Sequence, residues 1–515
     1  MLGKNTDQRK FLTTATIATL VFYFPLLMGS YYYRDDFERL ITQKPGWSQF
    51  GRPFADLLTF FLSADWQWMP SSSPFFLLIA LFLTATSACL SLKIRNIPFN
   101  PTTAVLLVAY IFNPFLLSAF LYQFDCVIMA MALACSVLGW AYYSHSKIKS
   151  AVLCFISMGF YQSYINMFII LSLIEALYSI YNGNKISVTV RFFIKAFLFS
   201  AFISILFYFF AKLFVYGYAA QKSQFVFSSS KGAWHYVAIT TENAFSHFFG
   251  FLSLTGKVTY GFAICIAFIQ LQLHFYKDTK FDNPVLRAII CSVSLLFMLP
   301  ISLCVLYGIV GDSGVPPRLM APSIFFSVSI IFLVLRFLTR FQKPELKTEP
   351  AIFAATKLTW AVIVLLLLCP LVFSYIVNSA IRIQNTWSRY YLQRIATSLE
   401  RYPAEKPSFV LGVLGNSIYV KSTLKRMRLV TIMIPHLRDW TLTFQLKEFG
   451  FNNIKQIGNA QADELVTRLC TNNVTPDIKT PYYKIFNLGD HNFIWLGKKD
   501  MCSTDYNRGI KHYSR

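Results

Sequence analysis

Apolar stretches long enough to cross a bilayer recur along this chain and alternate with short polar turns. A helix needs roughly 20 predominantly apolar residues to span the hydrocarbon layer. Scanning on that rule predicts eleven spans, at 11–30, 75–92, 103–122, 125–143, 151–165, 167–181, 192–217, 258–276, 287–310, 321–338 and 358–378. The pair 151–165 and 167–181 is short and nearly continuous, the pattern of a tight hairpin or of one kinked helix. The first stretch is longer than a secretory h-region and no small-residue cleavage pattern follows it, so it reads as a retained anchor.

Beyond 378 the pattern changes. Trp387, Tyr391, Ile395 and Leu399 recur at helical spacing within 384–399. The segments 409–414, 429–434, 483–488 and 492–496 read as strands, and 441–449 and 462–470 as helices. The predicted fold class is an α-helical polytopic membrane protein, residues 1–378, followed by a small C-terminal α/β domain, 379–515.

Composition agrees. Of 515 residues, 55% are hydrophobic, 17% aromatic and only 14% charged, and Phe occurs 52 times. The mean hydropathy is +0.48, which belongs to membrane proteins rather than soluble ones. A net charge of +23 would suggest nucleic acid in a soluble chain. Here no basic run is interleaved with aromatics as a nucleic-acid groove requires, and the charge follows the positive-inside pattern plus a basic tail. With the N-terminus inside, Lys93, Arg95, Lys147, Lys149, Lys185, Arg191, Lys195 and the basic residues of 336–357 all fall on cytoplasmic loops and outnumber those outside. An odd number of spans then places the tail outside the cytoplasm. The external segments are 31–74, 218–257 and the tail, with short turns near 123–124, 166 and 311–320. Eight of the ten Cys lie in or beside apolar runs; Cys470 and Cys502 lie in the polar tail, where an oxidising compartment would let them pair.

Candidate chemistry gathers on the external side. Asp35 and Asp36 follow the first span directly. Like charges this close raise one pKa, and a carboxylate so tuned can take a proton from a sugar hydroxyl; the plainer alternative is a helix cap. In the same loop, 48–62 carries an apolar face suited to the membrane interface, with Arg52 at its start, and Trp66 and Trp68 follow. Indole rings suit stacking on sugars, although for these two alone an interfacial aromatic belt is the better account. Arg318 closes a short external turn, where its planar fork matches a phosphate; snorkelling or pairing with Asp312 is the alternative. Tyr161, Gln162 and Asn166 put polar groups at the tip of the 151–181 hairpin, either to line a cavity or to bond helices together. Trp234, His235, Glu242 and His247 match no zinc spacing and read as a surface loop. No phosphate-cradling loop, dinucleotide fingerprint or HExxH is present, which argues against a cytoplasmic nucleotide-using enzyme.

The acidic pair after the first span, the run Gly51-Arg52-Pro53-Phe54-Ala55-Asp56-Leu57 and the hairpin Gly159-Phe160-Tyr161-Gln162 together resemble the bacterial O-antigen glucosyltransferases of the serotype-converting type, and through them the GT-C membrane glycosyltransferases, over residues 1–380. The resemblance implies a multi-pass inner-membrane enzyme that takes glucose from undecaprenyl-phosphate-glucose and delivers it to an O-antigen hydroxyl in the periplasm. It implies a companion flippase and donor synthase as partners. Asp35 or Asp36 would act as general base, with Arg318 and Arg34 on the donor phosphate and Arg52, Trp66, Trp68, Tyr161, Gln162 and Asn166 lining the substrate. No cofactor is required, although Asp35, Asp36 and Glu38 offer oxygen ligands for a divalent cation. The rival readings are an O-antigen polymerase or ligase, a lipid-linked sugar transporter, which would need charged or broken helices at mid-membrane, and a non-catalytic assembly partner.

Overall fold

A computed structural model describes residues 6–29, 32–71, 73–216, 233–277, 283–303, 316–341, 350–457, 459–497 and 501–502. By internal contacts the chain divides into two units: residues 1–28, 45–376 and 426–432 in one, and 29–44, 377–425 and 433–515 in the other.

The first unit is a helical bundle. Among the described residues nine helices are long and apolar enough to cross a membrane, and a tenth span is formed if the bent pair Pro101–Ile111 and Pro114–Phe120 is taken as one. The bend is 46°. Its cause is local: Pro114 removes a backbone donor and starts a new helix. Asn113 caps that helix by accepting from Phe115 N and Leu116 N, and its Nδ2 donates to Ala321 O at 2.9 Å. The cap therefore ties the break to the 3₁₀ segment Pro317–Ser323, on which Arg318 sits.

The span expected at 151–165 is instead the 14-residue helix Lys147–Phe160, about 21 Å at 1.5 Å per residue and short of the hydrocarbon thickness. Ser146 caps its start by accepting from Lys149 N. It ends where Tyr161 turns extended, and after the 3₁₀ turn Gln162–Tyr164 the chain returns as helix Ile165–Tyr181. Buried hydroxyls hold this hairpin to helix Cys126–Tyr143: Ser157 Oγ donates to Ala132 O at 2.7 Å, and Ser136 Oγ accepts from Phe168 N at 3.1 Å. Hydrogen bonds of this kind are what join helices where lipid removes the hydrophobic drive. Part of the expected second external loop is also helical, Ala233–Gly250, with His247 buried on it; residues 217–232 lie outside the described residues.

The second unit is built on a five-stranded sheet of order β2-β1-β5-β4-β3, with β1 Ser408–Gly412, β2 Ile454–Gln456, β3 Ile478–Lys479, β4 Tyr483–Asn487 and β5 Asn492–Leu496. β1 runs parallel to both β2 and β5, while β4 is antiparallel to β5 and β3. Side chains alternate across the strands, as a pleat requires. Val410 and Ile494 pack on one face with Leu392, Ile395 and Leu442. Leu411, Phe493 and Trp495 pack on the other with Ala462 and Val466 of helix Asn459–Thr471. The expected strand at 429–434 is a correction: Arg428–Met433 is a short helix. A six-residue run with five apolar positions carries no period that separates strand from helix. The span at 358–378 and the helix at 384–399 are one element, Pro350–Leu399, with Pro370 inside it.

Candidate functional site

Within the helical unit, two sequence motifs interlock residue by residue. Gly51 adopts φ +72°, a conformation that favours glycine, and its carbonyl accepts from Gln162 Nε2 at 2.6 Å. Arg52 lies over the ring of Tyr161, with Cζ 4.2 Å from the centroid, and its Nε reaches Gln162 Oε1 at 3.4 Å. Phe54 lies against Gly159 so closely that a Cβ there would sit 2.0 Å from its ring. The first-loop run and the hairpin tip are thus one structure. Pro53 at the first helical position starts helix Pro53–Ser63, fixing the chain direction just after Arg52.

Arg318 completes the cluster. Its Nε donates to Tyr161 OH at 2.9 Å and its Nη1 to Tyr122 OH at 2.6 Å, with Cζ 4.7 Å from the Tyr122 ring. Two guanidinium groups therefore share one buried tyrosine, Arg318 at its hydroxyl and Arg52 on its face. A phenol that accepts from arginine keeps its own proton to donate. Among the described residues the terminal nitrogens of Arg52 have no ion-pair partner. Forked cations and a phenol O–H side by side are the donor set that recognises phosphate oxygens.

A prediction follows from this packing. Gly159→Ala must push the Phe54 ring aside, and overpacking of this kind costs about 1–3 kcal/mol. The variant is expected to melt at lower temperature. Thermal unfolding of the purified protein in detergent checks it; an unchanged midpoint would show that the ring moves freely.

Sequence reasoning missed one member of this neighbourhood, Asp125, and held Asp56 only as part of the first-loop run. Asp125, in the turn three residues after Tyr122, is buried and its Oδ1 accepts from Trp47 Nε1 at 2.9 Å. Asp56 accepts from three backbone N–H groups, Gly46 and Trp47 at 2.9 Å on one oxygen and Ser48 at 2.7 Å on the other. Asp125, alone in a short turn, carries no periodic signal, and Asp56, in the first turn of helix Pro53–Ser63, shows its role only through the backbone it gathers.

The acidic pair lies in the other unit, on the segment 29–44. Helix Asp36–Thr42 packs there against helix Asp439–Glu448. The two carboxylates differ sharply. Asp36 is 1% exposed and its Oδ2 accepts from Tyr33 N at 2.9 Å, which closes the turn. Asp35 is exposed, and its carboxylate has no partner among the described residues. Between them and Tyr33 stands Arg34 at φ +47°, a left-handed conformation that costs a non-glycine residue energy and recurs at functional loops. Its guanidinium lies 5.3 Å from the Tyr33 ring and beside His436. Burial, and then the charges of Arg34 and Arg438, hold the His436 imidazole down at about 4, so it is neutral at physiological pH.

The remaining candidates fall as follows. Trp66 is exposed and stacks on Phe60 at 4.2 Å; Trp68 is also exposed, and Asn166 is fully buried in its helix. Of the expected cations, Arg52 and Arg318 both meet Tyr161 in the helical unit, and Arg34 lies in the other unit. Asp35, Asp36 and Glu38 form no three-ligand group, and no cluster of acidic, His or Cys side chains able to hold a metal occurs among the described residues. Cys470 and Cys502 are joined in a disulfide, Cα–Cα 5.4 Å.

A protein of Salmonella phage P22, described as an uncharacterized 55.3 kDa protein in the gtrB 5′ region, is 24% identical over 188 residues, 36% of this chain. The chain spans 38% of that relative's length. No solved structure matches. The family model for glucosyl transferase GtrII matches residues 24–335, a stretch that holds the first-loop motif, the hairpin tip and Arg318. The chain is a multi-pass membrane protein and belongs to the GtrII glucosyl transferase family.

Proposed function

We propose that this protein transfers glucose from undecaprenyl-phosphate-glucose to a hydroxyl of the lipopolysaccharide O-antigen on the periplasmic face of the inner membrane. The observation that carries the reading is the meeting of Arg52 and Arg318 on Tyr161, within a chain of glucosyl transferase family. A sugar phosphate already contains its leaving group. The protein has to hold the phosphate, orient the incoming alcohol and remove its proton.

In this reading Arg52, Arg318 and the Tyr161 hydroxyl bind the donor phosphate. The acceptor oxygen attacks the glucose anomeric carbon as the bond from that carbon to the phosphate oxygen breaks. The phosphate leaves with the electron pair, and the two guanidinium groups neutralise the added charge. The acceptor's proton passes to a first-loop carboxylate, Asp35, since Asp36 is already engaged in closing its turn. The Cys470–Cys502 disulfide favours a tail outside the cytoplasm, since disulfides persist in oxidising compartments.

Deleting the gene is expected to remove a glucose branch from the cell's O-polysaccharide, read by linkage analysis and NMR, and plasmid expression should restore it. A polysaccharide of shortened chain length with unchanged branching would favour a polymerase instead. Alkaline phosphatase fused after residue 515 should be active; an inactive fusion would place the tail in the cytoplasm and defeat the periplasmic assignment.

A further inference from the structure

Arg52 is held by more than the tyrosine beneath it. Its backbone N–H donates to Trp47 O at 3.1 Å, and the same carbonyl accepts from Phe50 N at 2.9 Å. Trp47 is 1% exposed, and its indole N–H ends on Asp125. Its own amide, with those of Gly46 and Ser48, is gathered by Asp56. The loop bearing Arg52 is therefore pinned twice: from within by Asp56, and from outside by Asp125, on the turn whose Tyr122 accepts from Arg318. Keeping a carboxylate buried in such a turn is costly, and an indole N–H is a fitting donor to stabilise it.

We propose that the Trp47–Asp125 hydrogen bond is a strut that fixes the distance between the two arginine-bearing segments, making Trp47 and Asp125 positioning residues for the phosphate clamp. Arg52 reaches the clamp from a loop and Arg318 from a 3₁₀ segment. Neither belongs to a long helix that would set its place alone. The strut joins the 46–52 loop to the 121–125 turn, and the arginine–tyrosine contacts complete the circuit. Displacing one binding group by an ångström is enough to cost a bound transition state much of its stabilisation. The affinity arm of the test below rests on the proposed donor; the exchange arm does not.

The test uses the full chain in phosphatidylcholine nanodiscs and three variants, Trp47→Phe, Asp125→Ala and Asp125→Asn. Asparagine keeps an oxygen that accepts from Trp47 Nε1, so it preserves the strut without the charge. Hydrogen–deuterium exchange over residues 46–52 should quicken by about 10-fold in Trp47→Phe and Asp125→Ala, the range expected for losing a hydrogen bond to a charged group. Asp125→Asn should recover most of that protection. Undecaprenyl phosphate is the probe for the clamp: its Kd should weaken by about 10-fold in the first two variants and recover in the third. Unchanged exchange in Trp47→Phe would overturn the strut. So would an Asp125→Asn variant as impaired as Asp125→Ala, which would mean that the charge acts directly. A merely structural role would lower the melting temperature in all variants without moving Kd, and that outcome also overturns it. If the wild-type chain fails to bind undecaprenyl phosphate, the proposed donor falls, while exchange still decides the strut.

Discussion

Replacing Asp35 by Asn is expected to lower glucosyl transfer by about 10²–10⁴-fold, the usual contribution of a positioned general base, with the protein still inserted at the wild-type level. The side chain is exposed and makes no hydrogen bond among the described residues, so an isosteric amide leaves the fold undisturbed. Only the ability to accept a proton is lost. The neighbouring position should behave differently. Asp36 is buried and closes the turn onto Tyr33 N. Asp36→Ala would leave that buried N–H without its acceptor, a loss of about 1–3 kcal/mol, and would release Arg34 from its left-handed conformation. It should therefore lower the amount of folded protein and its melting temperature, with activity falling in proportion. Transfer measured per folded molecule, with purified protein and lipid donor, separates the two effects. If Asp35→Asn keeps wild-type turnover, the carboxylate is a surface group and the base must be sought elsewhere; Asp125 would be the next acid to test.

How much of this could be read from the sequence depends on whether the signal is local. Most of the spans and the strands β1, β4 and β5 were legible, since length and apolar content decide them, although eleven spans were expected where the described residues hold nine, or ten with the bent pair. The segment at 151–165 was ambiguous for a physical reason. Its apolar run crosses the break at Tyr161, and nothing in composition shows where a helix stops short. The run at 429–434 was misread because five apolar residues around Thr431 fit either period. At the site, the sequence supplied Arg52, Tyr161, Gln162 and Arg318 as separate candidates and the two motifs as separate features. It could not show that Phe54 lies on Gly159 or that Gln162 holds Gly51, because contacts across more than a hundred residues leave no local trace. Nor could it rank Asp35 against Asp36. Adjacent residues look alike in sequence, and only the turn geometry buries one and leaves the other exposed. Arg34 and Arg52 are likewise both first-loop arginines, and only packing shows that Arg52 is the one that lies on Tyr161, the partner of Arg318.

The sharing of Tyr161 makes the clamp testable as a unit. Arg318→Ala is expected to lower kcat/KM for the lipid donor by about 10²–10³-fold, the scale of removing one preorganised charge-stabilising group. Arg318→Lys should recover only part of the loss, because a point charge cannot donate to Tyr122 and Tyr161 together as the planar fork does. Arg52→Ala should cost somewhat less, since Arg52 contributes one fork and has no ion pair among the described residues. If both groups hold one phosphate through a common tyrosine, the double variant will lose less than the product of the two single losses, because neighbours that share a partner are not additive. Tyr161→Phe sharpens the point: it deletes the hydroxyl that Arg318 donates to but leaves the ring under Arg52. It should therefore weaken the effect of Arg318→Ala while leaving that of Arg52→Ala nearly intact. Steady-state kinetics over this set form a closed thermodynamic cycle. Strictly multiplicative losses throughout would mean that the two arginines serve separate ligands, and the clamp would have to be abandoned in favour of two independent anion contacts.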